Sequence, residues 1–273
     1  MAMQRNLTTL DTLKLYVTVE DGKELFYEDL IRQASGLAES FCERTFARSV
    51  YVDQLPSDGR TTLMVETTPL VHVVTVERDG TEIPASEFKV LDSEAGFLYR
   101  DGGWQEDTPL RFRFNLNRMP FRSRGAFEVE YIGGYLLPDD NIEQVVVADA
   151  ASSTFSGTNF PLLVKGDQIS VSGYTNAGNN GTFRVVDADQ SSITVDANLV
   201  DETPTEDVTI EVRNLPYDVE KAVIETVRSW SAGSDRDPSL ESESITNVWK
   251  ATYTTADVPD SVSSMLTRYK RAY

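Results

Sequence analysis

The spacing of apolar positions changes character along the chain. Over residues 21–45, Phe26, Leu30, Ala34, Leu37, Ala38, Phe41 and Cys42 recur three or four apart, the period of an amphipathic helix. Asp21 stands where an N-cap would, with Glu24 three residues on to answer its amide in a variant of the capping box. A shorter helix is predicted over 10–16. Beyond Phe46 the period falls to two: Arg111, Phe112, Arg113, Phe114, Asn115 and Leu116 alternate, as do Phe127, Val129 and Tyr131 against Glu128 and Glu130. Such runs predict half-buried antiparallel strands. Turn signals at Asp58-Gly59, Asp79-Gly80, Gly96 and Asp101-Gly102-Gly103 separate further predicted strands at 63–66, 71–78, 88–91 and 97–99.

Residues 141–213 are rich in Ser, Thr, Asn, Asp, Gly and Val, with short strands predicted near Leu162, Ile169, Phe183, Ile193 and Val208. Helical spacing then returns: Val219, Val223, Val227 and Trp230 share one face, Pro216 sits in the first turn and Gly233 just past the end. Residues 235–255 are polar and poorly periodic. Val262, Met265, Leu266 and Tyr269 form a last amphipathic helix from about Pro259, with Arg268, Lys270 and Arg271 in its final turn. The expected fold class is α+β. A discontinuous domain of about four helices with an antiparallel β region, 1–140 and 214–273, is interrupted by a small inserted all-β domain, 141–213.

Composition narrows the chemistry. The 273 residues carry 25 Lys and Arg against 44 Asp and Glu, a net charge of −19 distributed along the chain. A surface of that sign repels phosphate and disfavours tight nucleic-acid binding. The single histidine, His72, lies in a strand pattern among valines, and the single cysteine, Cys42, follows Phe41 on a helix where a small packing residue is expected. That removes most catalytic triads, zinc sites and imidazole acid–base schemes. Carboxylates are so abundant that no pair of them signals catalysis. The acidic run holding Asp235, Asp237, Glu241 and Glu243 reads as a connection between helices rather than a cation loop, and Asp187 and Asp189 read the same way.

Gly166-Asp167 and Asn176 to Gly181 are turn chemistry, since neither matches a phosphate-binding loop. Trp104, Tyr131, Tyr135, Trp249 and Tyr253 are expected in packing or interfaces rather than stacked on a ligand. The chain is expected to be no enzyme and to need no cofactor or metal. With no window of about 20 apolar residues and no apolar core in its first residues, it is expected neither to span a membrane nor to enter a secretory route.

The order of several motifs carries a resemblance. The stretch Leu30-Ile31-Arg32-Gln33-Ala34 through Phe41-Cys42-Glu43-Arg44-Thr45-Phe46 resembles the second helix of the head–tail connector (adaptor) proteins of tailed bacteriophages, with its acid-Arg-small-Phe exit. Residues 71–78 before Asp79-Gly80, and Tyr131-Ile132-Gly133-Gly134-Tyr135 with Pro138, resemble the β segment and exit of the same family. Residues 216–230 resemble its third helix, and Ser244, Trp249 and Tyr253 its closing segment. The resemblance spans about 10–140 and 214–273. Residues 141–213 depart from it and resemble a β module of phage structural proteins.

The resemblance implies a homo-oligomeric ring, commonly of twelve subunits, beneath the portal protein, with its other face receiving a stopper or tail-completion protein. It implies portal docking by the C-terminal segment, for which Met265, Arg268, Tyr269, Lys270, Arg271 and Tyr273 are the candidate residues. Double-stranded DNA would pass through the ring without specific contact, as an acidic wall permits. The expected location is the head–tail interface of the virion after synthesis in the host cytoplasm. The alternative expectation is a β module that binds a glycan on a cell or virion surface.

Overall fold

The structure, a computed structural model, describes residues 5–56, 59–78, 80–104, 126–233, 242–245, 249–252 and 260–270. It divides into two compact units, each built from separated stretches of chain. The first comprises Met1–Arg44, Leu137–Asn141 and Arg213–Tyr273, and the second Thr45–Leu136 and Ile142–Val212.

The first unit is helical. Helix α1 covers Leu10–Lys14, capped by Thr9, whose hydroxyl accepts the Thr12 N–H at 3.1 Å. Helix α2 covers Glu24–Cys42 and ends on Glu43 in the left-handed region, at φ 54°. Helix α3 covers Tyr217–Gly233, and α4 covers Asp260–Leu266 before a 3-10 turn at Thr267–Tyr269. The buried stripe of α2 is Tyr27, Ile31, Ala34, Ser35, Ala38 and Cys42, whereas Phe26 is 43% exposed. That stripe lies one position round from the one the sequence suggested. No side chain caps the helix at Lys23, so the cap expected from Asp21 is not formed.

Polar contacts tie this unit together. Ser35 earns its buried position by accepting the Leu7 N–H at 3.0 Å. Glu220, only 4% exposed, accepts from Thr8 Oγ1 at 3.2 Å and pairs with Arg213 at 3.2 Å. Cys42 is fully buried, and its thiol donates to the Leu266 carbonyl at 3.7 Å. Burial pushes that thiol up to about 11, so it behaves as a packing residue.

The second unit is built from strands. In chain order these are β1 Ser49–Pro56, β2 Thr62–Met64, β3 Leu70–Arg78, β4 Thr81–Glu82, β5 Lys89–Asp92, β6 Phe97–Tyr99 and β7 Ala126–Gly133. They continue with β8 Ile142–Gln144, β9 Val147–Asp149, β10 Thr154–Ser156, β11 Gln168–Ser172, β12 Gly181–Ala188, β13 Ser192–Val195 and β14 Val208–Glu211. One antiparallel sheet has the order β1-β7-β3-β4, and a smaller one the order β2-β6-β5. Phe127, Val129 and Tyr131 of β7 point into their shared core with Leu55, Leu98 and Trp104, and Glu128 faces solvent. The alternation read in that strand is therefore the burial pattern. The predicted strand at 111–116 lies outside the described residues.

The other sheet has seven strands, ordered β8-β14-β11-β12-β13-β10-β9. Every one of these strands contributes to a single apolar cluster, from Ile142 and Ala148 at the two edges to Val171 and Ile193 between them. The sheet must therefore curl round one core, and a bridge between Ala148 and Glu202 covers part of its β9 edge. Leu136 belongs to the same cluster. The first unit also contains a short hairpin, β15 Ser242–Ile245 and β16 Trp249–Thr252, in part of the stretch expected to be irregular.

The expected fold class is corrected. The chain is mostly β, 32% strand against 27% helix, rather than an α+β adaptor of four helices with a small inserted β domain. The physical reason is in the packing of the strands on either side of Leu137–Asn141. Those of 45–136 and of 142–212 form one compact unit, so the β material is the larger body and the helices the smaller.

Within the second unit Arg48 makes a buried ion pair. Its side chain is 3% exposed and bonds Asp167, 11% exposed, at 2.6 Å. The same carboxylate oxygen accepts the Val164 N–H at 2.8 Å, and the Arg48 backbone N–H donates to Tyr135 at 2.7 Å. Gly134 makes that approach possible. At φ +89°, a Cβ there would stand 2.5 Å from the Ala47 carbonyl oxygen, so the glycine of the Tyr131 to Tyr135 motif is a steric requirement.

Candidate functional site

The residues singled out for docking sit at the C-terminal end of the helical unit. Met265 is half-buried and Arg268 is exposed, with its guanidinium paired to Asp218 in the first turn of α3. The same guanidinium lies 4.8 Å from the Tyr269 ring centroid and donates to Tyr269 Oη at 2.7 Å. Lys270 Nζ lies 4.3 Å over the Phe41 ring of α2. The segment is thus laid on α2 and α3 by one ion pair and one cation–π contact. Arg271 and Tyr273 lie outside the described residues.

The structure adds residues that periodicity did not mark. Leu15, 80% exposed, and Tyr16, 46% exposed, follow α1, and Tyr16 Oη lies 3.2 Å from Oη of Tyr217, itself 56% exposed at the start of α3. The Tyr16 hydroxyl is held above its usual range by that hydrogen bond, and Lys221 acts on it in the opposite sense. The signal available in the sequence was an apolar residue and two tyrosines at helix ends, Leu15 and Tyr16 just past α1 and Tyr217 opening α3, where they do not join a buried stripe.

The other candidates resolve into structural roles. Trp104 and Tyr131 are fully buried and Tyr135 is 8% exposed. The Tyr131 hydroxyl donates to Asp53 at 2.8 Å and accepts the Thr67 N–H at 2.8 Å, and burial raises its pKa. His72 is an exposed strand residue. Asp189 accepts the N–H groups of Ser191 and Ser192 at 2.6 and 2.8 Å, an Asx turn. Asp235, Asp237, Glu241 and Tyr253 lie outside the described residues, as do the side chains of Glu243 and Trp249. Among the described residues, no group of three or more His, Cys, Asp or Glu could hold a metal ion. No described helix is long and apolar enough to cross a membrane.

An open cleft of about 400 Å³ beside the β3–β4 turn is lined by Arg78, Ser86, Glu87, Arg100, Asp101 and the glycine pair after it. Arg100 is paired with Glu87 and lies 5.9 Å over Trp104. Two arginines against two carboxylates leave the cleft without the net charge that would select an ion.

The turn of residues 174–181 is fastened by Glu202. Its carboxylate accepts the N–H groups of Thr175 at 2.8 Å and Asn176 at 3.1 Å, and the Asn179 amide at 3.0 Å. Burial opposes the charge, but the three donors outweigh it and hold the carboxyl below the ordinary glutamate range. A depressed folded value means that the unfolded chain binds the proton first. The stabilisation is therefore complete above the unfolded value, about 4.3, and is lost as pH falls through the folded one. Glu202→Gln should flatten the acid side of a melting-temperature profile below about pH 5. A variant with the same acid slope would remove this role.

No protein-family model matches the chain, and no curated protein matches it at a significant level.

Proposed function

We propose that the chain is a structural subunit of the neck of a tailed bacteriophage virion, an adaptor that forms a homo-oligomeric ring beneath the portal and joins the capsid to the tail. One observation supports this reading most: the two ends of the chain build a helical unit that carries the C-terminal segment on its outside, with Arg268 and Lys270 exposed and Tyr269 half-exposed. That is the arrangement a docking element needs, because side chains already held in place lose less entropy on binding. The charge of −19 agrees with a wall past which DNA moves without sticking.

In this reading the second unit's curled sheet is a structural module, and no step of bond chemistry is assigned to any residue. Deletion of the gene in the phage tests the reading. Electron microscopy should then find DNA-containing heads and free tails in separate populations. Joined particles in normal yield would overturn it.

A further inference from the structure

Leu15, Tyr16, Tyr217, Arg268 and Tyr269 come from three separated stretches of chain, yet a run of contacts brings them together on the helical unit. Tyr16 touches Tyr217, Tyr217 precedes Asp218, and Asp218 holds Arg268, which lies on Tyr269. Leu15 and the two tyrosines of the pair are all exposed, Leu15 by 80%, Tyr217 by 56% and Tyr16 by 46%. Tyrosine and arginine are the residue types in which binding energy concentrates at protein interfaces. Both phenol rings lose few rotamers on binding, and their hydroxyls already hold each other.

The charges around this surface differ from those of the chain as a whole. Lys14 precedes Leu15, Lys221 acts on the Tyr16 hydroxyl, and Lys270 lies over Phe41 beside the same segment. Facing them are Asp11, 3.7 Å from Lys14, Asp218 on Arg268, and Glu220, which is buried on Arg213. With Arg213 counted, and with Arg44 and Glu39 acting beside Lys270 at Cys42, six cations meet four carboxylates. A chain of net charge −19 thus presents a locally basic, aromatic face.

We infer that this composite surface, rather than the C-terminal segment alone, is the docking face for an acidic protein surface bearing an apolar pocket, which under the function proposed above is the portal. The inference rests on that reading. Basic charge steers the encounter and the tyrosines with Leu15 supply the anchors. A second copy of the chain is the competing occupant, but its overall charge opposes self-docking except through a local acidic patch.

The test uses the full-length chain and the portal protein encoded in the same genome. Binding is measured for the unaltered chain, for Tyr16→Ser with Tyr217→Ser, for Arg268→Glu, and for the milder Tyr217→Phe, with circular dichroism and melting temperature as checks on folding. The double tyrosine variant should bind at least about tenfold more weakly while its fold is retained, Arg268→Glu should lose affinity chiefly at low salt, and Tyr217→Phe should stay near the unaltered value. Portal binding that survives the double variant unchanged overturns the composite face and leaves the adaptor reading standing. No portal binding by the unaltered chain overturns both. Loss of self-association, with portal binding intact, in the double variant assigns the face to a second copy and overturns the inference.

Discussion

Asp167→Ala should destabilise the strand-built unit by about 3–5 kcal/mol, the range seen when one partner of a buried ion pair is removed. The substitution leaves the Arg48 guanidinium, 3% exposed, without its carboxylate, and leaves the Val164 N–H without its acceptor. Among the described residues, Arg48 Nη1 is left with a long bond to the Leu162 carbonyl, 3.4 Å, and its Nε has no partner even in the intact protein. Urea unfolding should register the loss, with a melting temperature lower by about 10 °C for a unit of this size. Asp167→Asn keeps an acceptor for Val164 and should lose less. Arg48→Met with Asp167→Leu should recover most of the loss, because the desolvation of two ions is removed along with their attraction. A loss under about 1 kcal/mol for Asp167→Ala would mean that the pair is solvated and does not hold the unit.

Phe155→Ala should cost the same unit about 3–5 kcal/mol by a different route. Phe155 is fully buried in β10, with its ring 5.8 Å from Tyr174 and 5.6 Å, edge-on, from Phe183. It fills the middle of the core round which the seven strands curl. Tyr174 cannot follow it inward, because its hydroxyl is committed to the Val146 carbonyl at 2.8 Å. The cavity should therefore stay open rather than collapse, which puts the cost at the upper part of the range for such truncations. Phe155→Leu should lose about 1–2 kcal/mol, and the difference between the two variants measures the cavity. Equal stability of the alanine variant and the unaltered chain would show that the core repacks.

What the sequence made legible, and what it hid, follows from where partners lie along the chain. Strand β7 was read from alternation because its inward residues are apolar and its neighbours are glutamates. Strand β1 was not, because the alternation is inverted there: Val50 and Val52 are 46% and 57% exposed, while Asp53 is buried. Asp53 is tolerated inside because it accepts the Tyr131 hydroxyl at 2.8 Å and the Glu66 N–H at 2.6 Å, and neither acceptor bond is visible in a local pattern. Helix α2 was legible as a helix, but Phe26, Leu30 and Ile31 give it more than one apolar stripe. The stripe that is buried was decided by Leu7, α3 and α4. The docking candidates at and beyond the end of α4 came from the family resemblance, whereas Leu15, Tyr16 and Tyr217 needed the contact between the two tyrosine hydroxyls, 201 residues apart in the chain. The fold class was missed for a related reason: counting elements gave the helices and strands, but not which strands would pack as one body.

The helical unit is assembled from both ends of the chain, and that has a bearing on how the protein is made. Thr8 and Glu220, hydrogen-bonded in the finished unit, are 212 residues apart. During synthesis α1 and α2 leave the ribosome long before α3 exists, and the part of the α2 stripe that α3 and α4 cover lacks its native partners while the strands between are translated. Early folding of those strands shortens the loop that must close between α2 and α3. The strand-built unit therefore acts as a scaffold in time, and the Tyr16–Tyr217 pair can form only once α3 has been made.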